Sequence, residues 1–153
     1  MVRSQTPQLK LFIKHKKKLI KKLGEKALYD DIITREATKM FGNKYLGTFS
    51  QDTVPLGKTG YAIMNVDTLD EDGSHWIGLY MTAKTIYIYD SYGRHSEKLL
   101  PILEKQINKK KLSSIDSCHL AEQFGYKSEI CGHLSLAFLC VVKELGIRKA
   151  LTI

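Results

Sequence analysis

The run "LSLAFLCVV", residues 134 to 142, constrains this chain more than any other stretch. It is broken only by Ser135, so a helix built from it has almost no face for water and must be buried. The pattern predicts a helix that starts at Cys131, runs to about Leu145 and stops at Gly146. The run is far too short to cross a bilayer. The remaining chain therefore has to wrap around this helix. With 153 residues there is enough of it for one domain with a sizeable core.

The wrapping elements are legible in outline. Residues 7–23 predict a helix with Leu9, Phe12, Ile13, Ile20 and Leu23 on one face, interrupted by Lys16 and stopped by Gly24. Residues 27–40 predict a second, with Leu28, Ile32, Ile33, Ala37 and Met40 at helical spacing. "GNKYLGTFSQDTVPLGKTG" (42–60) reads as a loop, rich in glycine and polar residues. "YAIMNV" (61–66) reads as a strand and "DTLDEDG" as a turn. "WIGLYM" and "IYIY" then read as the two strands of a hairpin about "TAKT", with Ile77, Leu79 and Met81 alternating. Residues 95–107 predict a helix with Leu99, Ile102, Leu103 and Ile107 inward. "LSSIDSC" (112–118) predicts a short strand, followed by a loop up to Ile130. The class is α+β: a short mixed or antiparallel sheet flanked by helices, around the buried helix that begins at Cys131.

Charge is distributed unevenly. Residues 1–26 hold nine basic residues against Glu25 alone, which accounts for the whole net charge of +8. The rest of the chain carries fifteen basic and fifteen acidic residues. A basic helical arm of this kind attracts polyanions, with solvation of an ordinary helix as the plainer alternative. Three cysteines are too few and too odd in number for a disulfide-built secreted domain, and a reducing compartment fits better. The basic amino-terminal stretch lacks the apolar core and cleavage site of a signal peptide. No His/Cys grouping has zinc spacing, and no glycine-rich loop has P-loop form.

Cys131 sits where the buried helix starts, with Gly132 after it. A helix N-terminus lowers a thiol's pKa and favours thiolate. Gly132 is expected to leave room for a substrate backbone, and the Gln123 amide can donate to a developing oxyanion. In the hairpin, His75 precedes the first strand and Asp90 follows the second, so antiparallel pairing brings them to one end. Nucleophile, base, orienting carboxylate and oxyanion donor together make an acyl-transfer set. Taken alone, His75 and Cys131 would more often be structural; their order along the chain favours catalysis. Cys140 is expected in the core and His133 is expected to point away from the site. Cys118 is either a packing residue or a partner or redox thiol.

The order His75, Asp90, Gln123, Cys131 carries a resemblance. "YAIMNVDTLDEDGSHWIGLYMTAKTIYIYDSYG" resembles the strand, His-Trp pair and acid-terminated strand of the adenovirus-type (adenain-like) maturation cysteine proteases. Their clan also holds the SUMO-type deconjugating proteases. "YLGTF" (45–49) is similar to that family's opening loop, and "SEICGHLSLAFL" to its Ser-x-x-Cys-Gly helix start. The resemblance spans about residues 40–145. It implies Cys131 as nucleophile, His75 as base and then acid, and Asp90 as orienter, where the family often has Glu. It implies an oxyanion hole of Gln123 and the Cys131 N–H, with Trp76 flanking the site and Gly132 beside the nucleophile. It implies a monomeric endopeptidase cleaving capsid or core precursor proteins during virion maturation, in the virion and the infected cell's cytoplasm or nucleus. No metal or cofactor is required, although the family's use of DNA or of a disulfide-linked activating peptide leaves both open; the loop after Cys118 is shorter here. The rivals are a ubiquitin-like (SUMO-type) deconjugating protease and an inactive DNA-binding structural protein of the same fold. Residues 1–26 lie outside the resemblance. Their removal is expected to take away most of the non-specific DNA binding and spare peptide cleavage, unless the apolar face of the helix packs on the core, in which case it would give insoluble or unfolded protein.

Overall fold

A computed structural model describes residues 5–68, 75–117 and 129–153. The fold is α+β, a five-stranded mixed sheet covered by helices on both faces. Helix α1 (Pro7–Leu23) opens on the Thr6 hydroxyl, which accepts from Leu9 N at 3.2 Å, with Pro7 in the first turn where its missing N–H costs nothing. Helix α2 (Asp30–Phe41) starts three residues later than periodicity predicts, with two aspartates at the positive end of its dipole. Leu28 remains buried, but from the connector before the helix.

The sheet runs in the order β1 (Tyr45–Phe49), β2 (Gly60–Asn65), β3 (Trp76–Met81), β4 (Thr85–Tyr89), β5 (Ser113–Asp116). The central three strands are antiparallel, and both edge strands are parallel to their neighbours. Strand β1 corrects the expectation of a loop over 42–60. Its residues are only half-covered and its register slips between Tyr45 and Gly47, so it carries no clean alternation for a sequence pattern to reveal. Gly60 lets it come close: a Cβ there would lie 2.5 Å from the Lys44 carbonyl oxygen, at a φ of +153°.

The single helix expected over 95–107 is two: α3 (Ser96–Leu99) and α4 (Pro101–Lys109). Pro101 disfavours helical backbone at Leu100, which sits at φ −127°, ψ 62°. The break turns Leu100, Leu103 and Ile107 inward and leaves Ile102, expected inside, 37% exposed. The start of α4 is held by Gln51, whose side-chain oxygen accepts from Ile102 N at 2.8 Å and Leu103 N at 3.2 Å.

Alternation along the strands splits the core in two. Ala62, Met64, Ile77, Leu79, Met81, Ile86 and Ile88 meet Leu100, Leu103 and Ile107 on one face. Tyr61, Ile63 and Tyr89 meet helix α5 (Cys131–Leu145) on the other, together with α1 and α2. Helix α5 is buried from Gly132 to Val142, as its composition requires. A short α6 (Ile147–Ala150) follows the stop at Gly146. Among the described residues no helix is long and apolar enough to cross a membrane.

Helix α1 is no detachable arm. Phe12 and Leu19, two turns apart, are 1% and 3% exposed in the α5-side core, while Ile13 is only partly covered and lies outside it. Phe12 meets Tyr89 edge-on at 6.4 Å, and Tyr89 stacks on Phe138 at 4.4 Å, so α1, β4 and α5 share an aromatic column. Lys22 reaches the buried Glu36 carboxylate of α2 at 2.9 Å. Removal of residues 1–26 is therefore expected to give insoluble or unfolded protein. Phe12→Ala should cost about 3–5 kcal/mol in urea unfolding; a change within about 0.5 kcal/mol would mean the helix is not part of the cooperative core.

Candidate active site

His75 and Asp90 meet because the hairpin is antiparallel. His75 is the residue before β3 and Asp90 the residue after β4, and Gly78 pairs with Tyr89. His75 Nε2 lies 2.6 Å from Asp90 Oδ1, and both residues are buried. Cys131 is the other side chain that acts on His75, and each shifts the other's proton affinity. The Trp76 N–H donates to Cys131 Sγ at 3.4 Å. Three elements, β3, β4 and α5, thus bring the expected His75, Asp90 and Cys131 together in one connected group.

The start of α5 is seated tightly on β3. Ser135 Oγ donates to the Trp76 carbonyl at 3.3 Å, and Gly78 leaves its backbone against Ser135: a Cβ there would be 3.3 Å from the Ser135 carbonyl oxygen. The Trp76 indole N–H donates to the Leu28 carbonyl at 2.8 Å, fixing the side chain beside Cys131. Gly132 corrects an expectation. A Cβ on it would meet Leu28, Ile33 and Trp76 at 3.2–3.4 Å, so its missing side chain lets α5 pack against α2 and β3 and opens no room for a substrate. His133 does point elsewhere: its Nε2–H donates to the Gly24 carbonyl at 2.8 Å, where α1 ends. Glu129 accepts from Ala27 N at 3.3 Å. The connector between α1 and α2 is therefore tied at Gly24, Ala27 and Leu28 to residues that surround Cys131.

The electrostatics suit a thiolate–imidazolium pair. Burial alone would raise the Asp90 carboxyl, but hydrogen bonds and charge from His75 and Arg94 outweigh it and hold the group far below the usual carboxylate range. Burial alone would lower His75; its hydrogen bonds and charge interactions with Asp90 and Cys131 prevail and raise it. Burial alone would raise the Cys131 thiol; hydrogen bonding and charge from His75, then the backbone N–H groups of Trp76 and Gly132, bring it below an ordinary thiol. Cys140 is the contrast. Buried in the core beside Met40, its thiol is pushed up to about 12 by desolvation.

Two further groups belong to the site without a motif that marks them. Arg94 Nε donates to Asp90 Oδ2 at 2.8 Å, and the Tyr92 ring lies 5.2 Å from the His75 ring. Their one signal in the sequence is proximity to Asp90 in "DSYGR". Gln123 and Cys118 lie outside the described residues. The Cys131 N–H is one of the four that an α-helix cannot satisfy internally. No group of His, Cys, Asp and Glu among the described residues is arranged to hold a metal ion. No known protein-family model matches the chain, and no curated protein matches it in sequence.

Thiolate chemistry follows the sign of these shifts. Alkylation of Cys131 by iodoacetamide should rise with pH about a midpoint below the ordinary thiol value of roughly 8.5, well ahead of Cys140. In His75→Ala the midpoint should move up towards that value. A Cys131 that alkylates no faster than Cys140 at neutral pH would rule out the ion pair.

Proposed function

We propose that this chain is a small cysteine endopeptidase of the adenain-like type, cleaving capsid or core precursor proteins during virion maturation. The observation that carries the reading is the Cys131–His75–Asp90 group at the start of the buried helix. In this reading the Cys131 thiolate attacks the scissile carbonyl carbon. The oxyanion formed accepts from the Cys131 N–H and the Gln123 amide. The His75 imidazolium gives its proton to the leaving amine, the C–N bond breaks, and an acyl thioester remains. Neutral His75 then takes a proton from water, which attacks the thioester and releases the acid and the thiolate. Asp90 keeps the ring in place through both halves.

Activity should appear as pH rises through the lowered Cys131 pKa and disappear as it rises through the raised His75 pKa. Incubation with virion precursor proteins and with a SUMO conjugate, followed by sequencing of new termini, separates the endopeptidase from a deconjugase. Cys131→Ala should abolish cleavage with the fold intact, and His75→Ala should be nearly inactive. Asp90→Asn should reduce kcat/KM by about 10- to 10³-fold, up to roughly 4 kcal/mol in the barrier. Wild-type cleavage by Cys131→Ala would end the assignment.

The proposed partner besides protein substrate is duplex DNA, bound without sequence preference. Lys10, Lys14, Lys17, Lys18 and Lys21 are all exposed on α1, on the side away from Phe12 and Leu19. Because α1 is structural, the informative change is charge removal. Replacing Lys10, Lys14, Lys17 and Lys21 by Ala should weaken binding and flatten its salt dependence by up to about 0.9 log units per log unit of salt for each phosphate no longer neutralised. Equal affinity and equal salt slope in the two proteins would sink the idea.

A further inference from the structure

The segment "DSYGR" folds back on its own carboxylate. Gly93 N donates to the Asp90 carbonyl at 2.8 Å, and Gly93 adopts φ +69°, a left-handed turn that suits glycine. The turn delivers Arg94 to the outer side of Asp90. There Arg94 N and Nε donate to Oδ2 at 3.1 and 2.8 Å, and Nη2 donates to Oδ1 at 3.3 Å. Tyr92 N also donates to Oδ1, at 3.3 Å. His75 Nε2 therefore competes for an oxygen that two other donors already approach. The guanidinium lies over the Tyr92 ring, 5.0 Å from its centre, and that ring meets His75 at 5.2 Å, tilted by 44°, so Tyr92 neighbours both Arg94 and His75.

We propose that Arg94 is a positioning residue for the Asp90–His75 pair, fixing the plane of the carboxylate and sharing its charge so that His75 can release its proton. The fork of donors leaves Asp90 one orientation, which aims Oδ1 at the imidazole. The shared charge matters as much. Asp90 is 3% exposed, and without Arg94 the imidazolium would be its sole cationic partner among the described residues. The proton would then be held more tightly than transfer to a leaving amine tolerates. The Arg94 side chain is itself 45% exposed, which sets the clamp at the surface while its target stays buried. The catalytic part of this inference rests on the protease reading; the proton affinity of His75 does not.

His75 can be titrated by NMR of labelled imidazole in Cys131→Ala protein carrying Arg94, Arg94→Lys or Arg94→Gln, alongside pH profiles of kcat/KM for the same Arg94 series with Cys131 present. The Gln variant should raise the His75 midpoint by about 1 pH unit. The Lys variant, which keeps the charge without the fork, should raise it less. The basic limb of kcat/KM should move the same way. A Gln variant that fails to fold leaves the decision to the Lys variant. An unchanged His75 midpoint in the folded variants overturns the proposal and makes Arg94 a brace for the turn. A raised midpoint with no cleavage by any protein of the series, parent included, upholds the role of Arg94 and overturns the protease reading.

Discussion

The interaction on which this molecule depends is the seating of the first turns of α5 on the beginning of β3. It is made by backbone and small residues: Gly78 against Ser135, the Ser135 hydroxyl on the Trp76 carbonyl, and the Trp76 N–H on the Cys131 sulfur. Larger side chains at Gly78 or Gly132 would lift the helix off the sheet or off α2. The same few ångströms thus set both the packing of the core and the distance from thiol to imidazole. Stability and chemistry are joined at this place, so a substitution that loosens the helix also displaces the sulfur.

Charge at the site runs through a connected series with its buried members in the middle. Arg94 is half-exposed, Asp90 and His75 are buried, and Cys131 lies at the end of the series, partly covered. Each group is stabilised in its ionised form by the next, and burial opposes the ionised form of Asp90, His75 and Cys131 alike. An arrangement of this kind stands only when complete, because a lone buried charge is costly. Elsewhere the buried Glu36 shows the same logic: one carboxylate, 2% exposed, faces Lys22, Lys39 and Arg35 at 2.9–3.7 Å and ties α1 to α2.

The features legible in the sequence are those with a strong local cause. The buried helix follows from an apolar run, and the meeting of His75 with Asp90 from the geometry of a hairpin. Their meeting with Cys131 follows only from chain order and family resemblance, because no local pattern says which helix end a sheet will receive. Strand β1 is hidden because an edge strand with half-covered residues and a register slip has no period of two. The helix over 95–107 looks continuous because apolar spacing continues across Pro101, while the backbone does not. Gly132 suggests open room because absence of a side chain does not say who fills the space. Arg94 and the Leu28 carbonyl act through partners fixed only by the fold, the one by a tight turn and the other across 48 positions of chain.

The tie between the Gly24 carbonyl and His133 spans 109 positions of sequence. During synthesis α1 leaves the ribosome long before α5, its main packing partner, has been made. Until then Phe12 has Tyr89 to meet, but the α5 side chains that complete its core are missing. Loop closure over such a span comes late, after the local hairpin. Cys131 also follows His75 and Asp90 along the chain. The Cys131–His75–Asp90 group is thereby completed only in the event that closes the core.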